Sequence, residues 1–169
     1  MKTNNKNIVL CGFMGSGKST VGKKLAEVLG RKFVDLDLFI EEREGSTVSK
    51  IFETKGEEYF RTAEEIAAKE LGDKENLVIS LGGGTVLRQK NTENLKKNGV
   101  LIYLKVSAET VKQRLKNDTA RPLIKGNTDE KIKNLLSVRE PIYAKAADFT
   151  VDADKNVENT VNEILNTEI

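Results

Sequence analysis

The stretch "GFMGSGKST", Gly12–Thr20, decides the fold. It matches G-x-x-x-x-G-K-[ST] through Gly12, Gly17, Lys18 and Ser19. An apolar run, Ile8–Cys11, enters it and an amphipathic helical pattern, Lys18–Leu29, leaves it. In that setting the glycines let successive backbone N–H groups converge on phosphate oxygens. The helix N-terminus adds its partial positive charge. Lys18 is placed to reach the β- and γ-phosphates, and the Ser19 hydroxyl to ligate magnesium. The alternative is a glycine-rich turn of no function, which motif and context together disfavour. The chain is therefore expected to bind a nucleoside triphosphate.

Outward from this loop, apolar β-rich runs alternate with helical patterns. Strands are expected at Ile8–Cys11, Lys32–Asp35, Leu77–Ser80, Val100–Val106 and Phe149–Val151. Helices are expected at Lys18–Leu29, Glu57–Leu71, Ser107–Lys116, Thr128–Lys145 and Asn156–Leu165. In the first of these, Val21, Leu25, Val28 and Leu29 have the spacing of one buried face. Such alternation implies an α/β fold, a parallel sheet with helices on both faces. The segment "KNDTARPLIKGNT", 116–128, has no clear period and reads as a plain loop or a lid.

Composition narrows the class. At 169 residues, one domain is expected. There is no apolar run long enough to span a membrane, and the N-terminal segment reads as the first strand, not as a signal peptide. The single cysteine, Cys11, excludes an internal disulfide, fits a reducing cytoplasm and reads as a small core residue. A net charge of +2 with interspersed signs argues against a nucleic-acid surface. Histidine is absent, so a general base must be a carboxylate. Arginine is scarce, 7 against 21 lysines, and marks places where planar bidentate recognition is worth suspecting.

Candidate residues cluster at strand ends, which face the ligand crevice in open α/β sheets. Asp35 and Asp37 in "FVDLDLFIE" share a direction if the chain is extended there. One could then serve magnesium and the other an acceptor proton. Alternatively, Asp37 merely caps a helix starting at Leu38. Gly82, Gly83 and Gly84 follow the third strand and offer bare backbone to a small polar acceptor, or else form a flexible turn. Arg61, with Glu64 and Glu65 at i+3 and i+4, has the pattern of a surface ion pair. Arg139 interrupts the apolar stripe Ile132, Leu136, Tyr143, so it needs a partner there, such as an anionic ligand. Arg121 could swing over a triphosphate, and Arg114 could sit near the nucleotide.

Six segments in order resemble the shikimate kinase family over nearly the whole chain. They are "GFMGSGKSTVGKKLA", "FVDLD", "IFETKGEEYFRTAE", "LGGGTV", "RPLI" and "REPIYAKAAD". The resemblance implies a three-layer fold like nucleoside monophosphate kinases, with five parallel strands in the order 2-3-1-4-5. It implies ATP-dependent phosphorylation of the 3-hydroxyl of shikimate, a step of aromatic amino-acid synthesis, with Mg²⁺ as cofactor. Asp37, Lys18 and Arg121 would then be catalytic. Gly15, Ser16, Gly17, Lys18, Ser19, Thr20, Arg114 and Arg121 would bind ATP. The adenine loop near "DADKN" matches loosely and adds Lys155. Asp37, Arg61, Arg139 and Gly82–Gly84 would bind shikimate, with Phe52 and Phe60 walling the pocket; the metal would rest on Ser19 and Asp35. Helices within about 37–72 would carry the substrate and 116–127 the lid. Leu81 departs from the small or polar residue common before the glycines.

Shikimate and ATP are thus the expected partners, with no nucleic acid, membrane or obligate protein partner, in a cytoplasmic monomer. A gluconate or nucleotide kinase is a rival that two carboxylate-directed arginines oppose. A nucleotide-dependent switch is another, but the guanine-reading N-K-x-D motif is missing.

Overall fold

The computed structural model describes residues 4–116 and 128–169. Arg121 and the expected lid, apart from Lys116, lie outside the described residues. Five strands form one parallel sheet: β1 Asn7–Cys11, β2 Lys32–Asp35, β3 Leu77–Ser80, β4 Gly99–Lys105 and β5 Phe149–Asp152. Their order, β2-β3-β1-β4-β5, is the one that the resemblance implied. β1 pairs with β3 through Ile8↔Val78 and with β4 through Ile8↔Val100. Every residue of β1 and β3 is buried, as expected for central strands covered on both faces. Cys11 is fully buried there, and burial pushes its thiol pKa up to about 12, partly opposed by Lys18.

Eight α-helices connect or flank these strands among the described residues: α1 Lys18–Leu29, α2 Leu36–Glu44, α3 Val48–Lys55, α4 Glu57–Gly72, α5 Gln89–Lys96, α6 Ala108–Lys116, α7 Thr128–Ala146 and α8 Val157–Leu165. None is long and apolar enough to cross a membrane. The sequence pattern marks no separate α3 or α5. Both are short, and local signals set their ends: Thr47 caps α3 through its side chain, and α5 follows a 3-10 turn at Thr85–Leu87. On α1, Val28 is exposed (52%), contrary to the expected stripe; Gly22 and Ala26 join Val21 and Leu25 on the buried face instead. Gly22 is bare because a Cβ would lie 2.6 Å from the Phe33 ring.

Two devices fasten α4, which leads to the site. At its C-terminal end, the fully buried Asn7 side chain donates to Leu71 O (3.3 Å) and Lys74 O (2.7 Å) and accepts from Leu77 N–H (2.9 Å). One amide thereby joins β1, α4 and the start of β3, and its polar atoms are paired as burial demands. At Gly72, α4 touches the backbone of α5 so closely that a Cβ would collide with Asn94 O. Neither partner there is a side chain that can rotate away. Gly72→Ala is therefore expected to destabilise the fold by about 1–3 kcal/mol despite alanine's better helix propensity. The urea midpoint measures this; a rise in midpoint would mean that propensity outweighs the clash.

Candidate active site

All five strands end at one edge of the sheet, and β1 lies where the order reverses between β3 and β4, so the crevice opens above it. The loop leaving β1 turns through positive φ at Gly15 (76°) and Gly17 (87°), conformations that L side chains rarely adopt. It delivers the N-terminus of α1, whose first turn carries no acid to compete with an anion for its N–H groups. Lys18 Nζ donates to Gly12 O (2.7 Å) and Phe13 O (3.0 Å). Ser16 is buried, and Thr20 is exposed on the first turn.

Asp35 has two tasks. Its Oδ1 accepts from Leu38 N–H (3.1 Å) and caps α2, while its Oδ2 accepts from Ser19 Oγ (3.0 Å). The helix cap is therefore Asp35 and not Asp37. The extended geometry expected for the pair also ends early. β2 stops at Asp35, Asp37 lies in the first turn of α2, and the two carboxylates meet different partners. The Ser19–Asp35 pair offers two hard oxygen ligands beside the phosphate loop, a donor set that suits Mg²⁺. Among the described residues no cluster of three or more His, Cys, Asp or Glu could hold a metal alone.

Asp37 faces the glycine triplet. A Cβ on Gly82 would lie 2.7 Å from Asp37 Oδ1. A Cβ on Gly84 would lie 2.8 Å from Arg61 Nη2, whereas one on Gly83 would meet Arg139 Nη1 and Tyr143 OH at an ordinary 3.8 Å. Three consecutive glycines thus each face one of the candidate side chains. The space that forbids a Cβ at Gly82 and Gly84 is filled by the protein's own carboxylate and guanidinium. Leu81, beneath the triplet, is buried and donates its N–H to Leu10 O (3.0 Å), so it packs as an ordinary core residue.

The arginines reach the triplet from two different helices. Arg61, on α4, pairs with Glu64 at 2.9 Å, and Glu64 is only 1% exposed. The expected surface pair is in fact buried, because Glu64 also accepts from Thr85 Oγ1 (2.8 Å) just beyond Gly84. Glu65 bonds Lys90 instead. The Arg61 guanidinium lies over Phe60 and Phe52, at 5.4 and 6.0 Å from their ring centroids, and the two rings contact each other at 4.9 Å. Arg139, on α7, donates to Gly83 O (2.8 Å), and Tyr143 OH donates to the same oxygen (2.6 Å). The stripe Ile132, Leu136, Tyr143 is buried as expected.

A family model described as shikimate kinase matches residues 14–168 of the chain. A shikimate kinase of Sulfurihydrogenibium sp. (strain YO3AOP1) is 49% identical over 164 residues, covering 97% of this chain and 98% of that protein. The chain belongs to the shikimate kinase family. Among solved structures, the shikimate kinase of Acinetobacter baumannii in complex with shikimate superposes with a TM-score of 0.87 at 40% identity, covering 95% of this chain and 90% of that one. A deoxyadenosine kinase from M. mycoides, at 22% identity and a TM-score of 0.66 (95% and 97% covered), shares the fold alone.

In this shikimate kinase family member, Arg114 joins two loops of the nucleotide side. It donates to Gly15 O (3.0 Å) in the phosphate loop and to Ala153 O (2.8 Å) beyond β5. The Lys155 side chain instead pairs with Glu163 (2.8 Å) on α8, at the surface. Glu64, Thr85 and Tyr143 are site residues that sequence reasoning did not single out as such. The only signal for Tyr143 was its place on the Arg139 stripe, and nothing distinguished Glu64 from a surface acid.

Burial, then the neighbouring Asp35 and Glu64, raise the Asp37 pKa to about 6, with Lys18 opposing. A carboxyl with a raised pKa binds protons more tightly folded than unfolded. Its ionisation therefore removes stability as pH rises from about 4 to about 6, and the loss is complete above that. Asp37→Asn is accordingly expected to stabilise the ligand-free protein at pH 8 by about 1–3 kcal/mol, with little effect at pH 4. Denaturant melts at both pH values check this; equal effects at both would remove the buried charge as the cause.

Proposed function

We propose that the chain transfers the γ-phosphoryl group of ATP to the 3-hydroxyl of shikimate, giving shikimate 3-phosphate and ADP. The observation that carries this reading is the match of three glycines to three side chains, Gly82 to Asp37, Gly83 to Arg139 and Gly84 to Arg61, beside a phosphate loop. Two guanidiniums bracketing one short backbone stretch suit a carboxylate. A carboxylate one residue further along suits a ring hydroxyl.

In this reading Asp37 orients the 3-hydroxyl and takes its proton. The hydroxyl oxygen bonds to the γ-phosphorus as the bond to the ADP oxygen breaks. Lys18 and the N–H groups of Gly15, Gly17, Ser19 and Thr20 neutralise phosphate charge, Ser16 shapes the loop by donating its N–H to Phe13 O (3.1 Å), Arg121 covers the triphosphate, and Arg114 and Lys155 border the base. Ser19 and Asp35 would hold Mg²⁺, which supplies further charge neutralisation. Phe52 and Phe60 wall the ring, and helices in the 37–72 region carry most of the acceptor side. The reading takes the chain as a monomer forming a single domain. The lone buried thiol of Cys11 fits the cytoplasm.

A nucleotide kinase would leave Arg61 and Arg139 without a carboxylate to read, whereas gluconate carries one, so a panel of hydroxylated acids separates that rival. ATP turnover with and without shikimate tests the assignment; a nucleotide switch would ignore shikimate. Asp37→Asn is expected to lower turnover about 10²–10⁴-fold while the protein stays folded. Retention of more than about a tenth of turnover would exclude a base at that position.

Carboxylate reading is tested by a cycle of shikimate and its neutral methyl ester against the parent, Arg61→Ala and Arg139→Ala. The ester should be poor with the parent, by about 30-fold or more in kcat/KM. Each arginine loss should cost far less with the ester than with the acid. Equal losses on both would make the arginines supports of the fold.

A further inference from the structure

The hydrogen bonds of the glycine triplet are one-sided. Gly82 O accepts from Thr85 N–H (3.3 Å) and Gly84 O from Leu87 N–H (3.2 Å). Gly83 O accepts two bonds, from Arg139 Nη1 and Tyr143 OH. Among the described residues, no hydrogen bond leaves the N–H of Gly83 or Gly84 for a protein acceptor. Every carbonyl of the triplet is held from within, and its last two donors are left for something else.

The two bonds on Gly83 O differ in kind. Arg139 is half-buried and, in the proposed function, has a carboxylate to engage. Tyr143 is fully buried, its ring packed 5.3 Å from that of Tyr103; its O–H donates to Gly83 O, while the Arg139 side chain is hydrogen-bonded to the hydroxyl oxygen. Four residues apart on α7, the two side chains lie on one helix face and converge on one oxygen. The Gly83–Gly84 peptide is planar, so holding Gly83 O toward Tyr143 turns the Gly84 N–H the opposite way. Glycines on both sides leave that peptide freer to rotate than any other pair would. A rotated peptide would present a carbonyl where a donor is needed.

We infer that Tyr143 is a positioning residue for the phosphoryl acceptor: its hydroxyl locks the Gly83–Gly84 peptide so that the Gly84 N–H stays directed at a ring oxygen, whether or not Arg139 is engaged. This rests on the acceptor reading above and goes beyond it. The hydroxyl acts through backbone and not through the carboxylate, so its removal must weaken a charged and a neutral acceptor alike.

The test is Tyr143→Phe, which keeps the ring and its packing, assayed in the full chain with ATP and either shikimate or its methyl ester. The acceptor KM is expected to rise about tenfold, by the same factor for acid and ester. The ATP KM should stay within about twofold and the Tm within about 3 °C. Losses confined to the acid would mean that the hydroxyl serves Arg139, and unchanged acceptor KM values would mean that it serves nothing in binding; either overturns the inference. A parallel rise in ATP KM with a large fall in Tm would reduce Tyr143 to a core residue. Absence of shikimate turnover in the parent would remove the proposed function itself, and this inference with it.

Discussion

Three successive peptide units without side chains set the dimensions of the acceptor side. At the end of β3 the backbone approaches a carboxylate at Gly82 and a guanidinium at Gly84 more closely than any Cβ allows. The surrounding elements are arranged about that approach. α2 begins at Leu36 and so presents Asp37 in its first turn, and α4 presents Arg61. α7, which follows β4, brings Arg139 and Tyr143 to Gly83. A side chain at Gly82 or Gly84 would displace the Asp37 carboxylate or the Arg61 guanidinium.

These charges are held at an electrostatic cost that differs between them. Glu64 is buried but is satisfied twice, by Arg61 and by Thr85, so removing Arg61 would strand a charge in a poorly solvated place, and removing Thr85 would leave one carboxylate oxygen without its donor. Asp37 has neighbours of its own sign and is pushed toward neutrality in the ligand-free protein. One carboxylate is thus fixed by its partners, and the other is pushed toward its neutral form, by surroundings and not by residue type.

The fold was largely legible because its signals are local. A glycine-rich loop between an apolar strand and an amphipathic helix has few structural solutions, and continuous apolar runs announce covered strands. α3 and α5 were not legible as separate helices, since eight residues give too few turns for periodicity to show. At the site, Arg139 could be found because it breaks an apolar stripe. The role of Glu64 could not, because a glutamate three residues after an arginine looks the same on a surface as in a core. The pairing of Asp35 with Ser19 depends on where β2 ends, and an aspartate pair two residues apart is compatible with either an extended or a helical backbone.

The burial of Cys11 bears on how the molecule can be labelled. The chain's one native thiol is sealed inside the central strand and remains protonated far above neutral pH. Alkylating reagents and maleimide dyes react with accessible thiolates, so they find no native target. A cysteine introduced on an exposed face, such as at Glu53 on α3, would take a fluorophore or spin label alone, with the native sequence otherwise untouched. The packing that makes Cys11 chemically silent leaves the molecule a clean background for distance measurements during turnover.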